Sequence, residues 1–293
     1  MRSPIRRLLF DPIEAGLLIA IFGFFKLLPI DWASGLAGWI AAEIGPMLRV
    51  SHVARRNLAL AFPGIDRAEI ERLVRGVWNN LGRVAGEYPH LAAIARSRVE
   101  LVGLEHAIAA REDGKPGIFF AGHLANWELL PMVAAGLGLP LTLVYRAANN
   151  PLVDRVIAKL RQAGNAVFLP KGAAGARGTL AAMRRGAHLA MLVDQKMNDG
   201  IAVAFFGHPA MTAPALAQLA NRFDCPVLPA RMERLHGAYF RLTVLPPLPL
   251  AHNGERGADT AAVMTEVNRL LEDWIRARPS QWLWLHKRWP GLK

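Results

Sequence analysis

The chain has 293 residues, enough for one large α/β domain or two small ones, and 53% of them are hydrophobic, which argues against disorder. Its formal charge of +12 speaks about partners rather than fold, and fits nucleic acid, an anionic membrane surface or an acidic carrier. The single cysteine, Cys225, excludes an internal disulfide and any multi-cysteine metal site.

At the N-terminus Arg2, Arg6 and Arg7 precede an apolar run from Ala15 to Phe25, which Lys26 interrupts and residues 27–30 continue. A second apolar stretch, Trp32 to Leu48, carries Glu43 as its one charge. The first run is shorter than the roughly 20 residues that cross a bilayer cleanly. No small-residue cleavage site follows it, so a secretory signal does not fit. Residues 1–48 therefore read as a membrane anchor, either one tilted span or a pair of in-plane helices, with a buried hairpin as the alternative. Arginine lies on both sides, with Arg49, Arg55 and Arg56 beyond the second stretch, so charge bias selects no orientation.

Residues 49–293 read as the main domain, opening with a helical layer over 49–98. Residues 51–62 have helical periodicity and end at Pro63-Gly64. Asp66, three residues before Glu69, then marks a helix start. That helix, about 67–88, lines up Ile70, Leu73, Val74, Val77, Trp78 and Leu81 on one stripe. From Pro116 short apolar runs appear at 118–121, 141–145, 166–169, 189–193, 202–206, 227–230 and 239–245. Helix-like stretches at 124–135, 151–163, 174–185 and 213–222 separate several of them, and a last helix covers about 259–276. The alternation predicts an α/β fold with a largely parallel central sheet flanked by helices.

The segment Gly122-His123-Leu124-Ala125-Asn126-Trp127-Glu128 follows a predicted strand and opens a helix. Strand ends of this kind are where α/β sheets place their sites. On one regular helix His123 and Glu128 would point about 140° apart, so they meet only if His123 sits in the loop. Histidine suits removal of a hydroxyl proton near neutral pH, and Glu128 would hold its tautomer and stabilise the imidazolium. Taken alone, His-x4-Glu is a weak signal. No serine lies between Ser97 and Ser280 and there is no Gly-x-Ser-x-Gly elbow. Cys225, before a proline at a strand start, reads as buried. These absences disfavour an acyl-enzyme and favour direct transfer. No His-Glu-x-x-His occurs and the nine histidines do not pair at ligand spacing, so no metal or organic cofactor is expected.

Further landmarks are Arg56-Asn57-Leu58 with Phe62-Pro63, Tyr145-Arg146, Asn150-Pro151-Leu152 with Asp154, and Asp194-Gln195. Then come Phe205-Phe206-Gly207 with Thr212 and the tail Gln281-Trp282-Leu283-Trp284-Leu285-His286-Lys287-Arg288. In this order, with the 122–128 block, the chain resembles the lysophospholipid acyltransferase superfamily from about Ala54 onward. Within it the chain is similar to the bacterial lipid A biosynthesis acyltransferases that add late lauroyl or myristoyl chains. The resemblance implies a glycerol-3-phosphate acyltransferase-like fold and a His-x4-Asp/Glu dyad mapping onto His123 and Glu128. It also implies an acyl-carrier protein or acyl-CoA donor, an anionic lipid acceptor, and an inner-membrane location with the site facing the cytoplasm. Many glycerol-phosphate acyltransferases have aspartate at the second position and a Phe-Pro-Glu-Gly-type block. This chain has glutamate and no such block, which favours the lipid A branch over glycerophospholipid or mannoside acylation.

Expected roles follow for the remaining candidates. Arg146 and Lys171 would face phosphates or the thioester oxygen. Asp194, with Gln195 beside it, would orient His123 or a sugar. Asn126 and Trp127 would shape the acyl tunnel or the helix start, and Thr212 would cap the helix after it. Trp282, Trp284 and Trp289 beside Lys287 and Arg288 suit a membrane interface or base stacking, or else a tail packed on the domain. A non-catalytic, basic, membrane-tethered binding protein is the rival from another class. Its nucleic-acid version is disfavoured by arginines scattered along the chain.

Overall fold

The structure, a computed structural model, describes residues 4–161, 164–250, 256–289 and 291. Arg2 and the side chains of Arg6 and Arg7 fall outside the described parts, as do the last two residues of the helix expected at 151–163. Two helices open the chain, α1 (Pro4–Leu27) and α2 (Ile30–Ile44), separated at Pro29. Proline disfavours helical geometry in the residue before it, so the apolar stretch breaks there. Among the described residues no helix is long and apolar enough to cross a membrane.

The helical layer continues with α3 (Ser51–Ala61) and α4 (Arg67–Glu87). The Asp66 carboxylate accepts the Glu69 N–H at 2.7 Å and so starts α4, as the sequence pattern predicts. α2 lies along α4 because glycines let the backbones approach. A Cβ on Gly82 would stand 2.3 Å from the Ala37 carbonyl, and one on Gly86 2.4 Å from that of Ala33.

The sheet region runs α5 (Leu91–Ser97), β1 (Val99–Val102), α6 (Leu104–Glu112), β2 (Ile118–Ala121), a 3₁₀ turn (Trp127–Leu129) and α7 (Leu130–Gly136). Next come β3 (Leu141–Tyr145), α8 (Pro151–Arg161), β4 (Val167–Pro170), α9 (Ala173–Arg184) and β5 (His188–Leu192). The chain ends with β6 (Ile201–Phe205), β7 (His208–Thr212), α10 (Ala215–Phe223), β8 (Val227–His236), β9 (Tyr239–Val244), α11 (Arg256–Ala277) and a tail. Seven strands form the central sheet in the order β1-β9-β8-β2-β5-β3-β4. Every neighbouring pair is parallel except β8 and β9. All four residues of β2 are buried, as a central parallel strand covered on both faces requires. Ile118 and Phe120 enter one core, with α4, α10, α11 and the tail; Phe119 and Ala121 enter the other, with α5, α6 and α7.

Two expectations are corrected here, and one segment holds elements not read from the sequence. The apolar run at 202–206 is not in the central sheet: among the described residues β6 pairs with β7 alone, as an antiparallel hairpin. Phe206 at φ 52° and Gly207 at φ 74° turn it, and two successive positive φ angles match the twist of a tight hairpin. The helix expected from Leu124 begins only at the Trp127 turn. Residues 91–112 hold β1 and two short helices that periodicity did not announce.

Candidate active site

The register of two neighbouring strands builds the site. Ala121 of β2 pairs with Leu192 of β5, so the residues two beyond each strand, His123 and Asp194, come out side by side. His123 Nδ1 lies 2.7 Å from Asp194 Oδ1, and the His123 backbone N–H donates to Asp194 Oδ2 at 2.8 Å. The Trp282 indole N–H reaches the same Oδ2 at 2.6 Å. Gly122 makes the approach possible, since a Cβ there would stand 3.0 Å from Leu271 and 3.5 Å from Asp194 Oδ2.

The loop after β2 is fastened to the tail. The Leu283 N–H donates to the His123 carbonyl at 3.2 Å, and the Ala125 N–H to the Gln281 carbonyl at 2.9 Å. Asn80 of α4 also donates to the Ala125 carbonyl, at 3.0 Å. Ala125 takes φ 50°, a conformation that lets the chain turn into the helix. Asn126 caps that turn, accepting the Glu128 N–H at 3.2 Å and donating to Glu87 at 2.8 Å. Glu87 is in turn paired with Arg234 of β8 and accepts from Ser34 at 2.7 Å. A buried polar network therefore ties α2, α4 and β8 to the loop that carries His123.

His123 lies in the loop, as the spacing argument required, yet its Nδ1 faces Asp194 rather than Glu128. Both Glu128 oxygens are taken by Arg161 at the end of α8, at 2.8 and 2.5 Å. Tyr88 adjoins this pair, and burial together with the Glu128 charge pushes its phenol well above the ordinary range. The Trp127 ring stands edge-on to His123 with centroids 5.1 Å apart. Gln195, exposed, places its amide nitrogen 3.4 Å from His123 Nε2. Arg146 and Lys171 are exposed where β3 and β4 end, and Arg146 donates to Asn149 at 3.3 Å. The strand order puts them two and three strands from His123, about 10 and 14 Å away at the usual spacing. Neither touches the His123–Asp194 pair, but both lie along the same edge of the sheet.

The electrostatics separate the groups. Asp194 is fully buried, which alone would raise its pKa; the His123 imidazole and N–H donors overcome this and hold it well below the carboxylate range. Burial pulls the His123 imidazole down, but the Asp194 charge and hydrogen bond, and more weakly Glu128, carry it above its ordinary value. Burial lowers His286 in the tail, and takes Arg288 down to about 10, with Asp194 opposing both shifts. Burial pushes the Cys225 thiol up to about 11, which suits a packed thiol and not a nucleophile. Among the described residues no group of three or more His, Cys, Asp or Glu side chains could hold a metal ion.

The tail and Thr212 behave differently from the surface and cap roles expected of them. Trp282, Trp284 and Trp289 are buried in the main core, and Arg288 is wholly buried over the Phe205 ring. Arg288 donates to the Met211 carbonyl and to Thr212 Oγ1, both at 2.8 Å. Thr212 ends β7 and spends its hydroxyl there, while α10 begins later, after Pro214. The tail is thus the packed alternative, not an exposed interface. Sequence reasoning missed Arg161, Tyr88 and Glu87, whose types and spacings carry no motif. Trp282 was visible as part of the aromatic tail landmark, without its link to Asp194.

A family described as bacterial lipid A biosynthesis acyltransferase matches residues 8–290. A lipid A biosynthesis palmitoleoyltransferase of Escherichia coli is 27% identical, covering 92% of this chain and 89% of the relative. A lipid A biosynthesis lauroyltransferase of the same organism is 28% identical, covering 83% and 79%. A lipid A biosynthesis acyltransferase of Haemophilus influenzae is 24% identical, covering 92% and 86%. With a match running from α1 through the tail that clamps His123, the chain belongs to the bacterial lipid A biosynthesis acyltransferase family and is an acyltransferase.

Proposed function

We propose that the protein moves a fatty acyl chain from a thioester donor, acyl-carrier protein or acyl-CoA, directly onto a hydroxyl of a lipid A precursor, with His123 as general base. The observation that carries this is the state of the imidazole. A carboxylate on Nδ1 commits that nitrogen to carrying the proton and leaves Nε2 as an acceptor. The side chain is 16% exposed, so the imidazole is largely dry without being wholly closed off. The acceptor hydroxyl loses its proton to Nε2 as its oxygen attacks the thioester carbonyl. The thiolate then leaves and takes the proton back. Glu128 adds negative charge that favours the imidazolium, more weakly than Asp194 does. Trp127 and Gln195 border Nε2, and Arg146 and Lys171 are placed along the sheet edge for the phosphates of either substrate.

Residues 1–48 serve in this reading as an in-plane membrane anchor and 49–293 as the acyltransferase domain, at the inner membrane with the site toward the cytoplasm. The support is the outer face of the helix pair. Ile13, Leu17, Phe24 and Leu27 of α1 and Trp32, Trp39, Ile40 and Ile44 of α2 are all exposed. A groove of about 640 Å³ between α1, α2 and α4 is lined by Ile21, Phe24, Ile40, Ile44, Leu48 and Trp78, among other apolar side chains. Apolar surface on this scale suits the headgroup–acyl boundary. α1 also reaches the site, since Phe22 stacks on Tyr88 with centroids 5.5 Å apart.

Mass spectrometry of lipid A from cells with and without the gene tests the substrate. The deletion should lack one secondary acyl chain, and unchanged lipid A would refute the acceptor. Purified protein given lauroyl-loaded carrier or lauroyl-CoA should acylate a lipid A precursor. His123→Ala should lower the rate by roughly 10⁴-fold, the upper range for a lost general base.

A further inference from the structure

We propose that Asp194, held by the C-terminal tail through Trp282, is the residue that positions His123. The base then works as a His–Asp pair, and Glu128 stands outside it. The inference rests on His123 being the general base. Its ground is the set of hydrogen bonds at one buried carboxylate. Asp194 Oδ1 faces His123 Nδ1 at 2.7 Å, and Oδ2 accepts the His123 backbone N–H at 2.8 Å and the Trp282 indole N–H at 2.6 Å. A carboxylate with no exposed surface is costly unless such donors satisfy it, and here they do.

The arrangement holds the imidazole by two routes. The side chain of Asp194 fixes the ring, while its second oxygen fixes the backbone of the same histidine. Trp282 in turn is fixed on three sides: it bridges to Leu124, packs edge-on to Trp284 at 4.6 Å between centroids, and meets Phe205 of β6 at 5.8 Å. The tail thus delivers a rigid donor to the carboxylate and also pins the loop, through Leu283 on the His123 carbonyl. Glu128 does not do this work: its two oxygens pair with Arg161, and His123 Nδ1 is on Asp194 instead. The pair reproduces the histidine–carboxylate half of a hydrolase triad, with the substrate hydroxyl in the place of the serine.

Histidine-selective ¹⁵N NMR of the full chain in detergent, alongside transfer kinetics, tests the positioning role with a readout that does not need turnover. His123→Ala assigns the signal. In the wild type His123 should be protonated on Nδ1 when neutral and titrate above an ordinary histidine. Asp194→Asn should lower that titration and shift the tautomer toward Nε2–H. It should also cut kcat by roughly 10³- to 10⁴-fold, with KM little changed. Trp282→Phe, which keeps the carboxylate and removes one donor, should shift both in the same direction and cost roughly tenfold in kcat. Glu128→Gln should move the His123 titration less than Asp194→Asn and leave its tautomer alone.

A wild-type tautomer and titration in Asp194→Asn would overturn the proposal, and so would a larger shift in Glu128→Gln. If Asp194→Asn does not fold, the Trp282→Phe and Glu128→Gln pair decides: a tautomer shift in the first alone supports the proposal, a tautomer shift in the second alone overturns it. The two readings fail separately. Should no donor give product while the NMR pattern holds, acyl transfer falls and the His–Asp pair stands. Should transfer proceed at full rate in Asp194→Asn, the pair falls and acyl transfer stands.

Discussion

The two ends of the chain look alike in composition and behave oppositely. The N-terminal pair α1–α2 and the C-terminal tail are each rich in large apolar residues and carry tryptophan, Trp32 and Trp39 in α2 and Trp282, Trp284 and Trp289 in the tail. Yet Trp32 and Trp39 are 72% and 61% exposed, while Trp282, Trp284 and Trp289 are at 1% or less. The difference lies in what each segment has to pack against. α2 gives its small residues to α4, where Gly82 and Gly86 admit them, and is left with its large ones facing outward. The tail enters a slot already lined by Phe205, Phe206, Phe120 and α11, which receives large rings. A tryptophan-bearing apolar segment therefore calls for an apolar partner, and the partner's shape decides whether that is the protein or something outside it.

That contrast can be broken or sharpened by substitution. The largest effect belongs to the tail: Trp284→Ala, at a fully buried ring, should cost about 3–5 kcal/mol of stability, read by chemical denaturation. A loss under 1 kcal/mol would mean the tail is not part of the core. Next is the seam that holds the N-terminal pair. Gly82→Ala sets a Cβ against the Ala37 carbonyl, and such overpacking should cost about 1–3 kcal/mol, with proteolysis near residues 28–30 as the local readout. If the melting temperature does not move, α2 does not bear on α4 as described.

The third test uses pH on the tail clamp. Asp194 has a depressed pKa when folded, so its stabilisation is present above its unfolded value of about 3.9 and is lost as pH falls through the depressed one. His123 is raised, so its share is present below its unfolded value of about 6.5 and is lost as pH rises through the raised one. The stability difference between wild type and Asp194→Asn should thus be greatest and flat from about pH 4 to pH 6.5. A difference that grows steadily on either side would contradict the pairing. The smallest effect on folding belongs to the outer face: Trp39→Ser should change stability by no more than about 0.5 kcal/mol. The same change should weaken binding to vesicles containing anionic lipid, and unaltered binding would remove this face from the anchor.

Much of the fold was legible because local patterns carried it. Residues 118–121 and 141–145 are short, largely apolar runs and became strands with those bounds, and Asp66 with Glu69 announced the start of α4. The hairpin β6–β7 was misplaced because an apolar run does not state which strand it joins. The 91–112 segment was silent because its elements are short and lean on neighbours rather than on their own periodicity. At the site, His123 was visible from its place between a strand and a helix. Distance along the chain pointed to Glu128, five residues away, which in the fold pairs with Arg161, while Asp194, seventy-one residues away and expected to orient His123 or a sugar, sits on Nδ1.

The sequence by itself determined which residue types were present for the chemistry, the family pattern that carries them, and that one histidine waits at the end of a buried strand. Only the tertiary structure decided which carboxylate meets that histidine. The reason is that register between β2 and β5, and the docking of a tail at the far end of the chain, bring together groups that no local period links. Hydrophobic patterning acts over a few residues; a hydrogen bond between strand ends depends on every connection in between.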